Sequence, residues 1–351
     1  MKKGSLLRFI AVCAVCFAVL LYNISDTFKF TAVKTAAAAE DIQQQEEKNG
    51  EEKPQEQSQS SEQQTEKQET VSETESSTAE STESTAVSAE AIKGKIVENY
   101  ISPYNAPQSY NKVYMKNTSG QNVDIKKLLN SELPFKITKN DSVQVLIMHT
   151  HTTETFMTEN TDYYTDEYTS RSRDNNRNMV KIGEIITEKL NAAGIKTVHD
   201  KTQHDYPNYT GSYTRSAQTV NSYLEKYPDI KVVLDLHRDA VSGENGDKIK
   251  LVTEIDGKKA AQVMLVMGSQ SGSSSDYPNW QENLKAAVKL QHILEDKYPT
   301  LARPLSLTSG YYNQGLTTGS MLIEFGTDAN TLDEASYSAE LVANALIELL
   351  G

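Results

Sequence analysis

From about residue 133 to the C-terminus, short apolar runs alternate with stretches of helical periodicity, and this alternation most restricts the fold. SVQVLIMH (142–149), IKVVLDLH (230–237) and SMLIEF (320–325) have the length of buried strands. Between them lies an amphipathic helix over 176–194, with Met179, Ile182, Ile186 and Leu190 on one face and Gly194 as its stop. IKTVHD (195–200) reads as a further strand, and helices are expected over 214–227, 280–297 and 331–350. KIKLVTEI (248–255) and AAQVMLVMG (260–268) read as a hairpin turning at Asp256-Gly257. Strands separated by helices predict an α/β class: a three-layer sandwich with a mostly parallel sheet and helices on both faces. Residues 135–351 are expected to form this one domain, with 93–134, including a short strand over 111–117 and a helical turn over 124–130, as an N-terminal extension packed on it.

The N-terminal quarter obeys a different pattern. Lys2, Lys3 and Arg8 precede an apolar run over 9–22. With Leu6 and Leu7 it reaches roughly the 17 residues a bilayer span requires. A membrane anchor over 1–25 is expected in preference to a cleaved signal peptide, with the basic end in the cytoplasm and the rest of the chain outside. Cys13 and Cys16 lie inside this run and read as small apolar residues, so the exported part has no thiol chemistry. Residues 26–92 read as a linker. Its stretch from Glu40 to Ile92 contains 15 acids, three lysines, no aromatic residue and no Leu. Such a segment cannot bury enough apolar surface to offset its ordering entropy and is expected to be a disordered acidic tether. It carries −12 of the chain's net −13, leaving the remainder near neutral. Nothing in this charge balance suits a nucleic-acid partner.

Three polar clusters sit at the ends of the apolar runs, the edge where open α/β sheets bind ligands. His149, His151 and Glu154 follow the first run, and His151-x-x-Glu154 has the spacing that zinc carboxypeptidases use for two of their ligands. His237 follows the second, in LDLHRD. That triplet also occurs in the protein-kinase catalytic loop, but the kinase pattern needs Asn where this chain has Glu244. Glu324 ends the third run, among Met, Leu, Ile and Phe. An apolar setting of this kind either demands an Arg partner or raises the carboxyl pKa into the range of a general base. Two His and one Glu form a three-ligand catalytic zinc set with an open position, and a separate carboxylate then handles protons. His199, His204 and His292 read as surface or structural residues.

The stretches IMHTHTTETF, VVLDLHRDA, NWQENLKAA and YYNQGLTTGSMLIEFGT resemble the stage II sporulation protein P family over roughly residues 95–351. The order of anchor, acidic tether and catalytic domain is also similar. That family is similar to the zinc-dependent N-acetylmuramoyl-L-alanine amidases. The resemblance implies a zinc enzyme that cleaves peptidoglycan, both at the sugar-to-stem amide and in peptide cross-links, during forespore engulfment. It places the catalytic domain outside the mother-cell membrane, facing the septal intermembrane space, with stage II sporulation proteins D and M as partners. It maps His237 to a metal ligand, Glu324 to the catalytic carboxylate, and the first ligand to His151, with His149 as the alternative. Amidases place their middle Glu just before the first helix, but here that stretch is SRSRDNNRNM, so Glu154 is expected to complete the site. Arg238, Asn279, Trp280, Asn283 and Asn313 are expected near substrate. A zinc carboxypeptidase or endopeptidase acting on wall peptides and a non-catalytic wall-binding scaffold are the alternative functions.

Overall fold

The computed structural model describes residues 92–243, 246–270 and 277–351. The expected anchor over 1–25 and nearly all of the expected tether lie outside them. Among the described residues no helix is long and apolar enough to cross a membrane.

Two sheets organise the chain. The larger has eight strands, in the order β2 (Gln108–Tyr110), β3 (Val113–Asn117), β11 (Leu305–Leu307), β10 (Val263–Met267), β12 (Met321–Thr327), β7 (Val232–Asp239), β4 (Val145–Met148) and β6 (Thr197–His199). Five of its seven pairings are parallel; β2–β3 and β10–β12 are antiparallel, so the sheet is mixed. The smaller sheet runs β5 (Tyr163–Thr165), β1 (Ile92–Asn99), β8 (Lys248–Ile255) and β9 (Lys258–Ala261). The extension over 93–134 is therefore not merely laid on the domain: β1 joins the small sheet and β2 and β3 the large one.

Alternation along β4 shows why helices cover both faces. Val145 and Ile147 enter the main core, shared with α2 (Met179–Ala192), α4 (Trp280–Lys297) and α5 (Leu332–Leu350). Leu146 and Met148 point the other way, to a smaller cluster containing Val220 of α3 (Ser212–Lys226). Successive strand side chains take opposite faces, so a run apolar at every position needs cover on both. The short helix α1 (Ile125–Asn130) packs Leu128 and Leu129 onto the main core.

Local signals set the helix ends. Asn178 caps α2 by accepting from the Val180 amide at 3.0 Å. Thr331 and Glu334 form a reciprocal capping box on α5. The expected turn at Asp256-Gly257 joins β8 to β9, both turn residues having positive φ. The expected second arm of this hairpin is divided between the two sheets. At the break, Gln262 donates to the Ile101 and Thr300 carbonyls and accepts from the Ile101 amide at 2.8 Å, leaving β10 to join the large sheet.

Candidate active site and metal centre

Parallel pairing sets Glu324 of β12 directly opposite His237 of β7. Both stand on the face away from the main core, at the sheet edge that also carries the segment after β4. His151 and Glu154, on that segment, complete the constellation. These four residues line one cavity of about 250 Å3, whose other walls include Arg171, Tyr209, Tyr213, Arg238, Tyr312 and Asp328.

His237 is buried. Its Nδ1 lies 3.7 Å from Glu154 Oε2, and its Nε2 lies 2.9 Å from Asp235 Oδ1. Asp235 is itself fixed by the Thr150 amide at 2.8 Å and the Thr150 hydroxyl at 2.7 Å. Burial opposes charge on His237, but Asp235, Glu154 and Glu324 outweigh it and raise the imidazole to about 10. His151 is held neutral, far below its usual range, by burial and then by the charge on His237. Its ring stacks on Tyr209 with centroids 4.6 Å apart, and its Nε2 is 3.1 Å from the Tyr209 hydroxyl. Its Nδ1 is buried without a hydrogen-bond partner.

Glu324 Oε2 is likewise shut off from solvent and without a hydrogen-bond partner. Apolar burial pushes this carboxyl up to about 8, opposed by His237 and reinforced by Asp239 and Glu154. The residue keeps some exposure towards the cavity. Among the described residues, the Arg pairing that the apolar surroundings had raised as an alternative does not occur as an ion pair to Glu324. Arg303, fully buried, bonds Asp239 instead, at 2.9 Å.

Two His and one Glu suit zinc by donor type, and the orphaned Nδ1 of His151 is a ligand atom in want of a partner. Two tetrahedral zinc ligands stand about 3.4 Å apart, near the separation of His237 Nδ1 and Glu154 Oε2. Among the described residues no three His, Cys, Asp or Glu side chains are drawn together as a preformed cage. His237 bears a proton where a cation would otherwise sit, and in its charged form it competes with a metal for the same carboxylate neighbours.

His149 is placed elsewhere. Its Nδ1 bonds the Leu236 carbonyl at 3.0 Å and its Nε2 lies 2.9 Å from His199 Nε2, so both nitrogens are engaged away from the cavity. Gly183 of α2 permits this pairing: a Cβ there would stand 2.4 Å from His199 Nε2 and 2.9 Å from His149 Nε2. His199 is thus a partner of His149 and not a free surface residue. His204 is also buried, bonding the His149 carbonyl and Thr219.

The substrate residues expected from the resemblance take different places around the cavity. Arg238 touches the cavity, but its guanidinium is spent on the carbonyls of Thr155, Ser170 and Asp239. Asn283 is buried and ties Tyr277, Gln314 and the Ser320 amide together. Asn279 donates to the Thr317 carbonyl, Trp280 belongs to the core, and Asn313 braces its loop to Tyr213 and Ser216 of α3. All four hold the segments around the cavity and are not among its walls. Conversely, Asp235, Arg171, Asp205 and Tyr209 had escaped notice. Asp235 was within reach, since it lies two residues before His237 and so shares its strand face. The other three lie on loops with no periodicity to betray them.

The sequence model of the family described as stage II sporulation protein P matches residues 19–347 of the chain. A curated relative, stage II sporulation protein P of Bacillus subtilis (strain 168), is 30% identical over 230 residues, covering 62% of this chain and 53% of that protein. The chain thus spans about half the length of the curated relative it matches. Among solved structures, the apo form of the N-acetylmuramyl-L-alanine amidase Ami1 from Mycobacterium abscessus is similar at 13% identity and a TM-score of 0.35, covering 60% of this chain and all of that one. The CwlD amidase from Clostridioides difficile, solved in complex with the GerS lipoprotein, is similar at 11% identity and a TM-score of 0.35, covering 58% of this chain and 94% of that one.

Proposed function

The chain belongs to the stage II sporulation protein P family, and from that membership and its cavity we propose that it is a zinc-dependent peptidoglycan amidase. The observation that carries this reading is the convergence of His151, Glu154, His237 and Glu324 on one cavity.

In this mechanism His151, Glu154 and His237 would hold the ion, which when bound would supply Lewis-acid polarisation of the amide and acidify water. Glu324 handles the proton. Its Oε2 faces no competing donor, so in its ionised form it is free to take a proton from the attacking water and return it to the leaving amine nitrogen. Met264, Val266 and Leu322 limit water around the carboxyl and keep its proton affinity high. Asp235 holds the far side of His237, leaving Nδ1 towards Glu154.

The bond attacked is the amide between the muramic lactyl group and the stem peptide, with cross-link cleavage as a second activity. Anchoring by residues 1–25 at the outer face of the mother-cell membrane, and work alongside stage II sporulation proteins D and M, belong to the same proposal. The test is digestion of purified wall by the full chain, with and without chelator, followed by mass spectrometry of the fragments. Free lactyl ends that disappear with chelator and in Glu324→Gln support the amidase. Peptide-bond ends alone would make it an endopeptidase, and wall binding without new ends would make it a scaffold.

A further inference from the structure

Outside the metal-facing side chains, one contiguous assembly reaches both His151 and Glu154 from the surface inward. Arg171 pairs with Glu154 across an isolated antiparallel bridge. Flanking bonds from the Thr155 amide to the Ser170 carbonyl (3.2 Å) and from the Ser172 amide to the Thr153 carbonyl (2.7 Å) lock the two segments together. One end of the Arg171 fork, Nη1, bonds the fully buried carboxylate of Asp205, while Nη2 stands 3.6 Å from Glu154 Oε1. Asp205 is anchored in turn by the Thr153 amide and hydroxyl, the latter at 2.6 Å. The guanidinium plane also lies over the Tyr209 ring, 4.7 Å from its centroid, and Tyr209 stacks on His151.

We propose that Arg171, fixed by Asp205, is a positioning residue that presents Glu154 and, through Tyr209, His151 to the cavity. The proposal rests on the reading of those two residues as metal ligands. Three features point to more than a surface ion pair. The fork spans two carboxylates and a ring face at once, which a planar guanidinium can do and a lysine ammonium cannot. Asp205 is fully buried and bonded by both Arg171 and Thr153, so the pair is held in place. The Tyr209 hydroxyl occupies His151 Nε2, which leaves Nδ1 as the nitrogen offered to the cavity.

Two readouts on the full chain test this. Zinc affinity is measured by competition with a chromophoric chelator, and the His151 ring is followed by NMR on metal-free protein labelled with 15N-histidine. Arg171→Lys and Asp205→Asn are expected to weaken zinc binding about 10- to 100-fold. Arg171→Lys should do so at an unchanged melting temperature, and Tyr209→Phe should move the His151 nitrogen signals by freeing Nε2. Wild-type affinity in Arg171→Lys together with unmoved His151 signals in all three variants overturns the proposal. If the wild-type chain takes up no zinc, the metal reading fails separately. The His151 signals then decide alone: movement in Arg171→Lys sustains the positioning role, and no movement ends it.

Discussion

Glu324 and His237 face each other in register on adjacent parallel strands, one a carboxyl raised to about 8 and the other an imidazole raised to about 10. The pair divides the chemistry between a group that takes up and returns a proton and a group whose proton a cation displaces. The predictions below follow from this division and from the braces around it.

Glu324→Gln keeps the shape of the side chain and removes its capacity to accept a proton. Amide hydrolysis is expected to fall about 10²- to 10⁴-fold, the usual contribution of a positioned acid–base group. Zinc content, read by elemental analysis, should match the wild type, since Glu324 is not assigned a ligand role. Loss of zinc in this variant would move Glu324 into the coordination shell.

Zinc uptake should release protons at pH 7.5, because His237 is charged in the metal-free chain at that pH and must be neutral to bind metal. Calorimetry in buffers of different ionisation enthalpy measures the number. About one proton or more is expected for wild type, and zinc binding that is independent of buffer would contradict the assignment.

The pair His149–His199 gives the fold an acid-labile point. Burial, and then His199, lower His149 to about 3; burial, and then Lys201, lower His199 to about 4. Both stay neutral in the folded chain while the unfolded chain takes up protons near 6.5. Their contribution is thus complete above pH 6.5 and is lost as pH falls from there through about 4 for His199 and about 3 for His149. Urea unfolding monitored by Trp280 fluorescence should show His199→Gln losing less stability than wild type between pH 7 and 5. Parallel losses would remove His199 from the account.

Gly183→Ala adds a methyl group where the two imidazoles already meet. Overpacking of this kind costs about 1–3 kcal/mol, and the urea midpoint should fall accordingly. An unchanged midpoint would mean that the His149–His199 contact yields freely.

Asn283→Ala should behave as a structural lesion. It leaves the Ser320 amide and the Gln314 carbonyl without their partner, at a cost of about 1–3 kcal/mol. A loss of stability with KM unchanged in the surviving folded enzyme is expected. A rise in KM at full stability would instead support the substrate role its motif suggested.

Much of the molecule was legible before any coordinates. Short, predominantly apolar runs gave β4, β7 and β12, and helical spacing gave α2, α4 and α5, because burial imposes these patterns on the sequence directly. The strands β1, β2, β5 and β11 were not foreseen. They are polar or only three residues long, and they exist because of what they pair with. The switch of chain from β9 to β10 was hidden for a similar reason: Gln262 marks it through partners at Ile101 and Thr300, far away in sequence.

By itself, then, the sequence determined which residues end the buried strands, and so which His and Glu meet at one sheet edge. It also located the largest block of net charge, −12 over the stretch from Glu40 to Ile92, ahead of the folded domain. What only the tertiary structure decided was the direction of each side chain. His149 and His151 are two residues apart, yet one is engaged by Leu236 and His199 while the other stacks on Tyr209 in the cavity. The segment leaves β4 just before them, so strand alternation no longer predicts where they point. Their places are set by partners 50 or more residues away in sequence, which no local pattern encodes.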